Sequence, residues 1–468
     1  MKSARFFLCS SFALLGLSGC GVDSIITKQP VSVPADWKNA HHFPVASPTQ
    51  DLSRWWSRFD DPTLTHLISN ALKNSPDMAS ASARIKESRA QRNATRASLF
   101  PSLSGSASTN ANTSDRDVSG RNSDTSYSAG LNASWEVDLF GKTRSSVEAA
   151  SAQLGASEEN FNSVQASLAS EIAIAYTNLR ANEAALEVLF SNVKTREETS
   201  QLASWRTQAG EADSLESSQA LSSLEQARAS IPALQQNISQ SRNLLALLSG
   251  QAPGSLDGTL SSGKKAIPNP PRSLAVGIPV DTLRQRPDVR IAGYQLLAAA
   301  ASTRAADAER YPSLNLAGSL GLNTLASSKL FNPETATAGI IAGISSPIFD
   351  AGRIRSNIEA QSAAEEQTYQ AYRSTVLTAL SEVEDSLIAC RRTAERLDTL
   401  EKATAAAREA DEIARQRYQT GEIDFVSVLD AQRSLLGLES NLFSVRADRT
   451  IAYIQLYKAL GGGWSAGS

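Results

Sequence analysis

Cysteine is too scarce in this chain to frame a fold. There are three, Cys9, Cys20 and Cys390, and two of them fall in an N-terminal stretch of export type. A disulfide framework is therefore excluded even in an oxidising compartment. Histidine occurs at His41, His42 and His66 only, without the His-Glu-x-x-His spacing of a helical zinc site. Met1 and Met78 are the only methionines, which excludes a thioether site for cuprous ion. No apolar run reaches the ~18 residues expected of a membrane-crossing helix. The formal charge is −3, and removing Lys2 and Arg5 with an export segment would leave −5, so there is no basic surface for nucleic acid. Gly258 to Lys265 nearly spells a phosphate-binding loop, but Lys265 stands where Ser or Thr must meet magnesium, and no apolar strand precedes it. With no catalytic, cofactor or metal candidate, the chain reads as a non-enzyme.

What is present begins at the N-terminus. Lys2 and Arg5 precede a short apolar stretch, Phe6 to Leu17, followed by Leu17-Ser18-Gly19-Cys20. This pattern reads as a signal peptide over 1–19 ending in a lipobox. Cys20 is then the acylated first residue of the mature chain, and its several acyl chains would anchor it in a membrane. Residue 21 is Gly, and the lack of an aspartate there favours the outer membrane. The expected lipid-anchored arm, 20–61, carries Trp37, Trp55 and Trp56.

The rest is one unit written twice. Shifted by 211 residues, Ser75-Pro76-Asp77 meets Arg286-Pro287-Asp288, and Phe100-Pro101-Ser102-Leu103 meets Tyr311-Pro312-Ser313-Leu314. Gly141 meets Gly352, Arg206 meets Arg417, Gly210-Glu211 meets Gly421-Glu422, and Asp213 meets Asp424 in the same register. Repeats of this size are half-molecules, not solenoid units. The expected halves are 62–250 and 280–461, with a Gly-, Pro- and Ser-rich connector over 251–279 and a tail over 462–468.

Each half holds a helix, a β-hairpin and two long helices. In the first hairpin, 101–139, Ala129, Leu131, Ala133, Trp135, Val137 and Leu139 alternate with Ser128, Gly130, Asn132, Ser134, Glu136 and Asp138. The second, 312–350, repeats the theme with Leu314, Leu316, Leu320, Leu322, Ile340, Ala342 and Ile344. Such alternation, over the length a tilted strand needs to cross a bilayer, is the pattern of a membrane barrel. Four strands cannot close, and open edges are not tolerated in lipid, so the strands require an oligomer. The helices expected over 142–206 and 353–418 are almost free of Gly and Pro, and those over 214–249 and 425–460 carry heptad seams. Val428, Ala431, Leu435, Leu438 and Leu442 mark one seam, and Ala220, Leu224, Ala227, Ile231 and Leu234 the other. Pro232 is expected to kink its helix. Gly210 and Gly421 are expected to stop the incoming helices at their tips, with Asp213, beside Ser214, and Asp424 as caps of the outgoing ones. The carboxylates Glu382, Glu384 and Asp385 read as a solvated helix face.

Taken together, Cys20, the paired Phe100–Leu103 and Tyr311–Leu314 segments, Arg286-Pro287-Asp288, and the run from Arg417-Tyr418 through Gly421 to Gln432 resemble the TolC-type outer-membrane efflux family, in its lipidated branch serving RND-type tripartite pumps. The resemblance implies a homotrimer. It implies a mostly α chain with transmembrane β: a twelve-stranded barrel in the outer membrane, a coiled-coil helical barrel in the periplasm, and a belt formed by the termini and connector. It implies a passive duct for small molecules, docked onto a periplasmic adaptor protein and an inner-membrane pump. It also implies a periplasmic gate at the helix tips, with Asp430 as a ring aspartate, Tyr418 as a closing tyrosine, and Asp424 nearby. Ile423 stands where some members carry an arginine lock. Two other readings share part of the pattern: a lipid-anchored coiled-coil adaptor or scaffold in the periplasm, and an outer-membrane duct for secreted polypeptides.

Overall fold

The computed structural model describes residues 32–43, 52–114, 122–271 and 279–464. The signal segment and Cys20 lie outside these residues. The first repeat opens with two helices rather than one, α1 (Pro62–Asn74) and α2 (Pro76–Ala97). Pro76 holds Ser75 in an extended conformation that no helix can run through. The second repeat breaks in the same way before Pro287, between α6 (Pro279–Gln285) and α7 (Pro287–Asp307). The short α5 (Asp257–Ser262) lies in the connector and contains most of the phosphate-loop-like residues.

Strands β1 (Ser102–Ser114), β2 (Asn122–Val137), β3 (Ser313–Thr324) and β4 (Ala336–Ser345) form one antiparallel sheet in the order β1-β2-β3-β4. The central pairing, β2 with β3, joins the two repeats: Leu131 faces Leu320 and Trp135 faces Leu316. Cross-strand partners share a face, so the alternation in each strand adds up to one continuous apolar face. The other face is built mainly of serine, asparagine and glycine, with Ala317 and Ile341 paired among them. Its hydroxyls pair across the strands at 2.8 Å, Ser102 with Ser134 and Ser108 with Ser128. The first hairpin is paired further out than its sequence suggested, to Ser114 and Asn122, whereas the second leaves the sheet after Ser345.

From the sheet the chain enters α3 (Lys142–Gln208) and, in the second repeat, α8 (Arg353–Gln419), each 67 residues long and therefore roughly 100 Å at 1.5 Å per residue. Aspartates just past the strands start both helices. Asp138 accepts from the backbone N–H groups of Thr143 and Arg144, and Asp350 from those of Gly352 and Ile354. Burial opposes ionisation of Asp138, yet these bonds and the Arg144 side chain hold its carboxyl below the usual range. The return helices are α4 (Ser214–Leu248) and α9 (Phe425–Ala459), and α4 continues through Pro232. Their seams lie where the heptads put them. Ala220, Leu224 and Ala227 are buried on α4, and Val428, Leu435 and Leu442 on α9.

The main core is a belt where the far ends of α4 and α9 meet the middle of α3 and α8. It gathers Trp37, Trp55, Trp56 and Phe59 of the arm, α1, Leu256 and Leu260 of the connector, and Cys390. The indole of Trp55 stacks on Tyr457 at 5.8 Å between ring centres. Charged groups tie the same level together. Arg286 grips both carboxylate oxygens of Asp288, donates to Glu382, and donates to the carbonyl of Ala459. Glu384 accepts from the Lys38 backbone and the Asn39 amide, both at 2.6 Å. Glu382 and Glu384 are thus anchors of the belt, not a plain solvated face. Arg180, fully buried, lies over the Tyr176 ring and donates to Glu183 and to the Leu260 carbonyl. The connector is pinned to α3 through the Leu260 carbonyl. Truncating Trp55 to Ala should cost about 3–5 kcal/mol; urea unfolding of the two proteins side by side would read this as an earlier midpoint.

Candidate functional site: helix tips and sheet face

The two helix hairpins turn at matched places. Gly210 (φ 78°) and Gly421 (φ 77°) adopt the left-handed conformation that ends α3 and α8, and only glycine does so without strain. After the second turn Asp424 caps α9, accepting from the backbone N–H and hydroxyl of Ser427 at 3.0 and 2.6 Å. Those bonds hold its carboxyl below the usual carboxylate range. Asp213 occupies the matching position but takes no bond from the α4 backbone. Its carboxylate instead accepts from the Ser214 hydroxyl.

The second tip packs against the first. Tyr418, 2% exposed, sits in a cluster with Phe425, Val428 and Leu429 from its own hairpin and Ala203 and Ala220 from the other. Its hydroxyl donates to Glu216 at the start of α4. The Arg206 guanidinium lies 4.8 Å from the centre of its ring. Burial pushes the Glu216 carboxyl up, against the opposing pull of Arg206. Tyr418 is therefore a cross-link between the two repeats. Ile423 is half-buried against the same cluster, so an apolar contact occupies the place of the absent arginine.

Asp430 directly follows Leu429 of this cluster on α9. It is exposed at 68% of its side chain and 3.7 Å from Arg433 on the same helix. The structure brings Tyr418 and Asp424 to one tip, with Asp430 above them on an open face of α9, while Gly210 and Asp213 form the neighbouring tip. Sequence reading missed Glu216 and Arg206 as partners of Tyr418. The available signal was the difference between the copies: Tyr418, Ile423 and Phe425 stand where the first copy has Thr207, Ala212 and Ser214. The copy with the large side chains had to bury them somewhere.

At the opposite end, the apolar sheet face is bare in the single chain, with Ile340 90% exposed and Leu320 and Leu131 also exposed. Ile348 and Phe349, just past β4, are exposed as well. Among the described residues no group of His, Cys, Asp or Glu could hold a metal ion, and no helix is long and apolar enough to cross a membrane.

Tyr418→Phe removes one hydrogen bond and leaves the ring, so the tip should loosen by about 1–2 kcal/mol. Amide exchange should quicken in 414–429 and stay unchanged in the belt. In Asp424→Ala the loss of protection should be confined to the first turn of α9.

Comparison with known proteins agrees along the whole chain. The profile of the family described as outer membrane efflux protein matches twice, over 67–251 and 278–462. These segments coincide with the two repeats. The solvent efflux pump outer membrane protein SrpC of Pseudomonas putida is 31% identical over 469 residues, covering 98% of this chain and 99% of its own. Among solved structures, the outer-membrane channel OprN superposes with a TM-score of 0.87 at 30% identity, covering 93% of this chain and 98% of its own. The open state of the MtrE outer membrane channel of Neisseria gonorrhoeae gives 0.81 at 30% identity, covering 93% and 96%. These proteins are channels and transport components, not enzymes. A duplicated profile, relatives above 30% identity over nearly full length, and the same fold in outer-membrane channels together establish that the chain belongs to the outer membrane efflux protein family and is the outer-membrane exit duct of an efflux system.

Proposed function

We propose that three copies pool their sheets into one twelve-stranded barrel, four strands from each chain. The bare apolar face, unbroken from β1 to β4 and fully exposed at Ile340, carries this reading. In lipid that face needs no partner, whereas the outer edges of β1 and β4 do. Their directions suit it, because β4 of one copy runs antiparallel to β1 of the next. Cys20 adds acyl chains as a second hold on the membrane. The long helices then form a periplasmic tube whose tips meet a periplasmic adaptor protein and an inner-membrane pump. Cargo enters from the pump. SrpC is named for solvents, and small molecules of that kind fit a duct that supplies no energy and makes no covalent step.

The tips act as the resting gate. Tyr418 holds the two hairpins of a chain together, Asp424 fixes the start of α9, and three copies of Asp430 near the axis repel one another and attract cations. The adaptor or scaffold reading gains nothing from a bare apolar sheet face, and the polypeptide-duct reading differs in cargo alone.

Native mass spectrometry of the acylated protein in mild detergent should find a detergent-dependent trimer. A water-soluble monomer would discard the barrel and favour the scaffold reading. Ile340→Arg, which puts a charge on the lipid-facing side at a cost of about 2–4 kcal/mol, should abolish trimers in the outer membrane. Asp430→Ala should raise resting conductance and lower cation preference in planar bilayers; unchanged traces would remove Asp430 from the gate.

A further inference from the structure

Above the tip cluster the four long helices meet through a layer of buried charge. Arg196 of α3 is 5% exposed, and it donates to the carbonyl and hydroxyl oxygens of Ser223 on α4. Asp411 of α8 is 3% exposed. One of its oxygens accepts from Arg415 at 3.0 Å, and the other, also buried, accepts no protein hydrogen bond. Gln432 of α9 donates to Thr199 of α3 at 3.2 Å. Glu439 of α9 accepts from Arg408 of α8 at 2.7 Å and from Asn192 of α3 at 3.1 Å. The charged groups that face Asp411 are Arg415 on its own helix, Arg196 on α3 and Glu439 on α9. Arg433 of α9 faces Arg196. From α4 the layer receives only the polar groups of Ser223.

The layer belongs to neither repeat by inheritance. Arg196 matches Ala407 in the other copy, and Asp411 matches Ser200. Opposite charges have been placed one on each hairpin, near enough for each to act electrostatically on the other. A buried carboxylate oxygen without a donor is costly. It has two ways out: the group takes up a proton, or the α8–α9 hairpin parts from α3 and water reaches it.

We propose that Arg196 and Asp411 make the seam between the two hairpins of a chain a proton-responsive joint, in which protonation of Asp411 favours the packed tips and ionisation favours their parting. Burial raises the Asp411 carboxyl above its ordinary range, against the opposing effects of Arg415 and Arg196 and with the help of Glu439. Once the seam is hydrated the group returns to that range. The packed state is therefore favoured fully below the ordinary carboxylate pKa, and the advantage is lost as pH rises through the raised value. This joint rests on the reading of the tips as the gate, since it sets how firmly they are held.

The test uses the full acylated protein in lipid, with amide protection measured over 404–418 between pH 5 and 8 and corrected for intrinsic exchange. Protection in the native protein should fall as pH rises, by roughly tenfold for each unit by which the packed and parted states differ in pKa. Asp411→Asn should remove the dependence. Arg196→Met should move its midpoint up, and Glu439→Gln should move it down, shifts that a merely structural role would not produce. A native profile that is flat, an Asp411→Asn profile that keeps the native slope, or midpoints unmoved in the other two variants would overturn the joint. Conductance recorded across the same pH series separates the two readings: protection that responds while conductance does not leaves the joint standing and removes the tips as the gate.

Discussion

Four strands with two open edges cannot rest in lipid, and the architecture follows from that constraint. Each unpaired N–H or C=O in hydrocarbon costs several kcal/mol, and β1 and β4 each present a row of them. The proposed barrel satisfies both rows by pairing copies of the same sheet. Because β2 pairs with β3, both repeats contribute to one sheet, and the two long helices that leave it start from that sheet with α7 packed against both. Their 67-residue length carries the far ends well away from any membrane-embedded part. A duct across two environments then needs no second fold.

Duplication gives near-symmetry, and function resides where the symmetry is broken. The turns, the strand alternation and the helix starts recur in both copies. The tips do not. Tyr418 and Phe425 bury themselves against α3 and α4, while their counterparts Thr207 and Ser214 lie in a small, open turn. In the same way Arg196 and Asp411 act electrostatically on one another across the repeats, and their counterparts are uncharged. Contacts between copies cannot be inherited from a single ancestral unit folding alone, so they are the ones that had to be added.

Periodicity and punctuation made the fold legible in the sequence. The strand alternation, the heptad seams and the turn glycines are local patterns with fixed spacing, and the structure follows them. The split of the first helix at Ser75-Pro76 was equally local. Pairings that span long sequence separations left no such trace. Nothing near Glu384 announces that it binds Lys38 and Asn39, and nothing near Glu216 announces Tyr418. The carboxylates of α8 looked like solvent-facing residues because helical spacing alone does not say what lies opposite. Arg286 was visible as part of a motif, but its bond to the Ala459 carbonyl depends on where α9 ends in space. Asp424 could be read both as gate and as cap, and its bonds to Ser427 show how a single carboxylate can serve the helix start without reaching across to the other hairpin.

The distribution of burial along the long helices argues for where motion is allowed. At the belt, three tryptophans of the arm, the stacked Tyr457, the connector, the middle of α3 and α8 and the far ends of α4 and α9 share one large apolar core, bound further by Arg180, Arg286 and Glu384. Parting the helices there would expose all of it at once. Towards the tips the apolar contact shrinks to the small cluster around Tyr418, and the layer above it is made of charges that water can take over. Charged pairs of that kind gain little over their hydrated state, so separating them costs far less than opening a core of the same area. Regions that open reversibly are drawn from the weakly held end of a structure. In the proposed gate the belt is the fixed ring about which the helix ends move, and the polar seam is the place where a small change in charge has the most leverage on that movement.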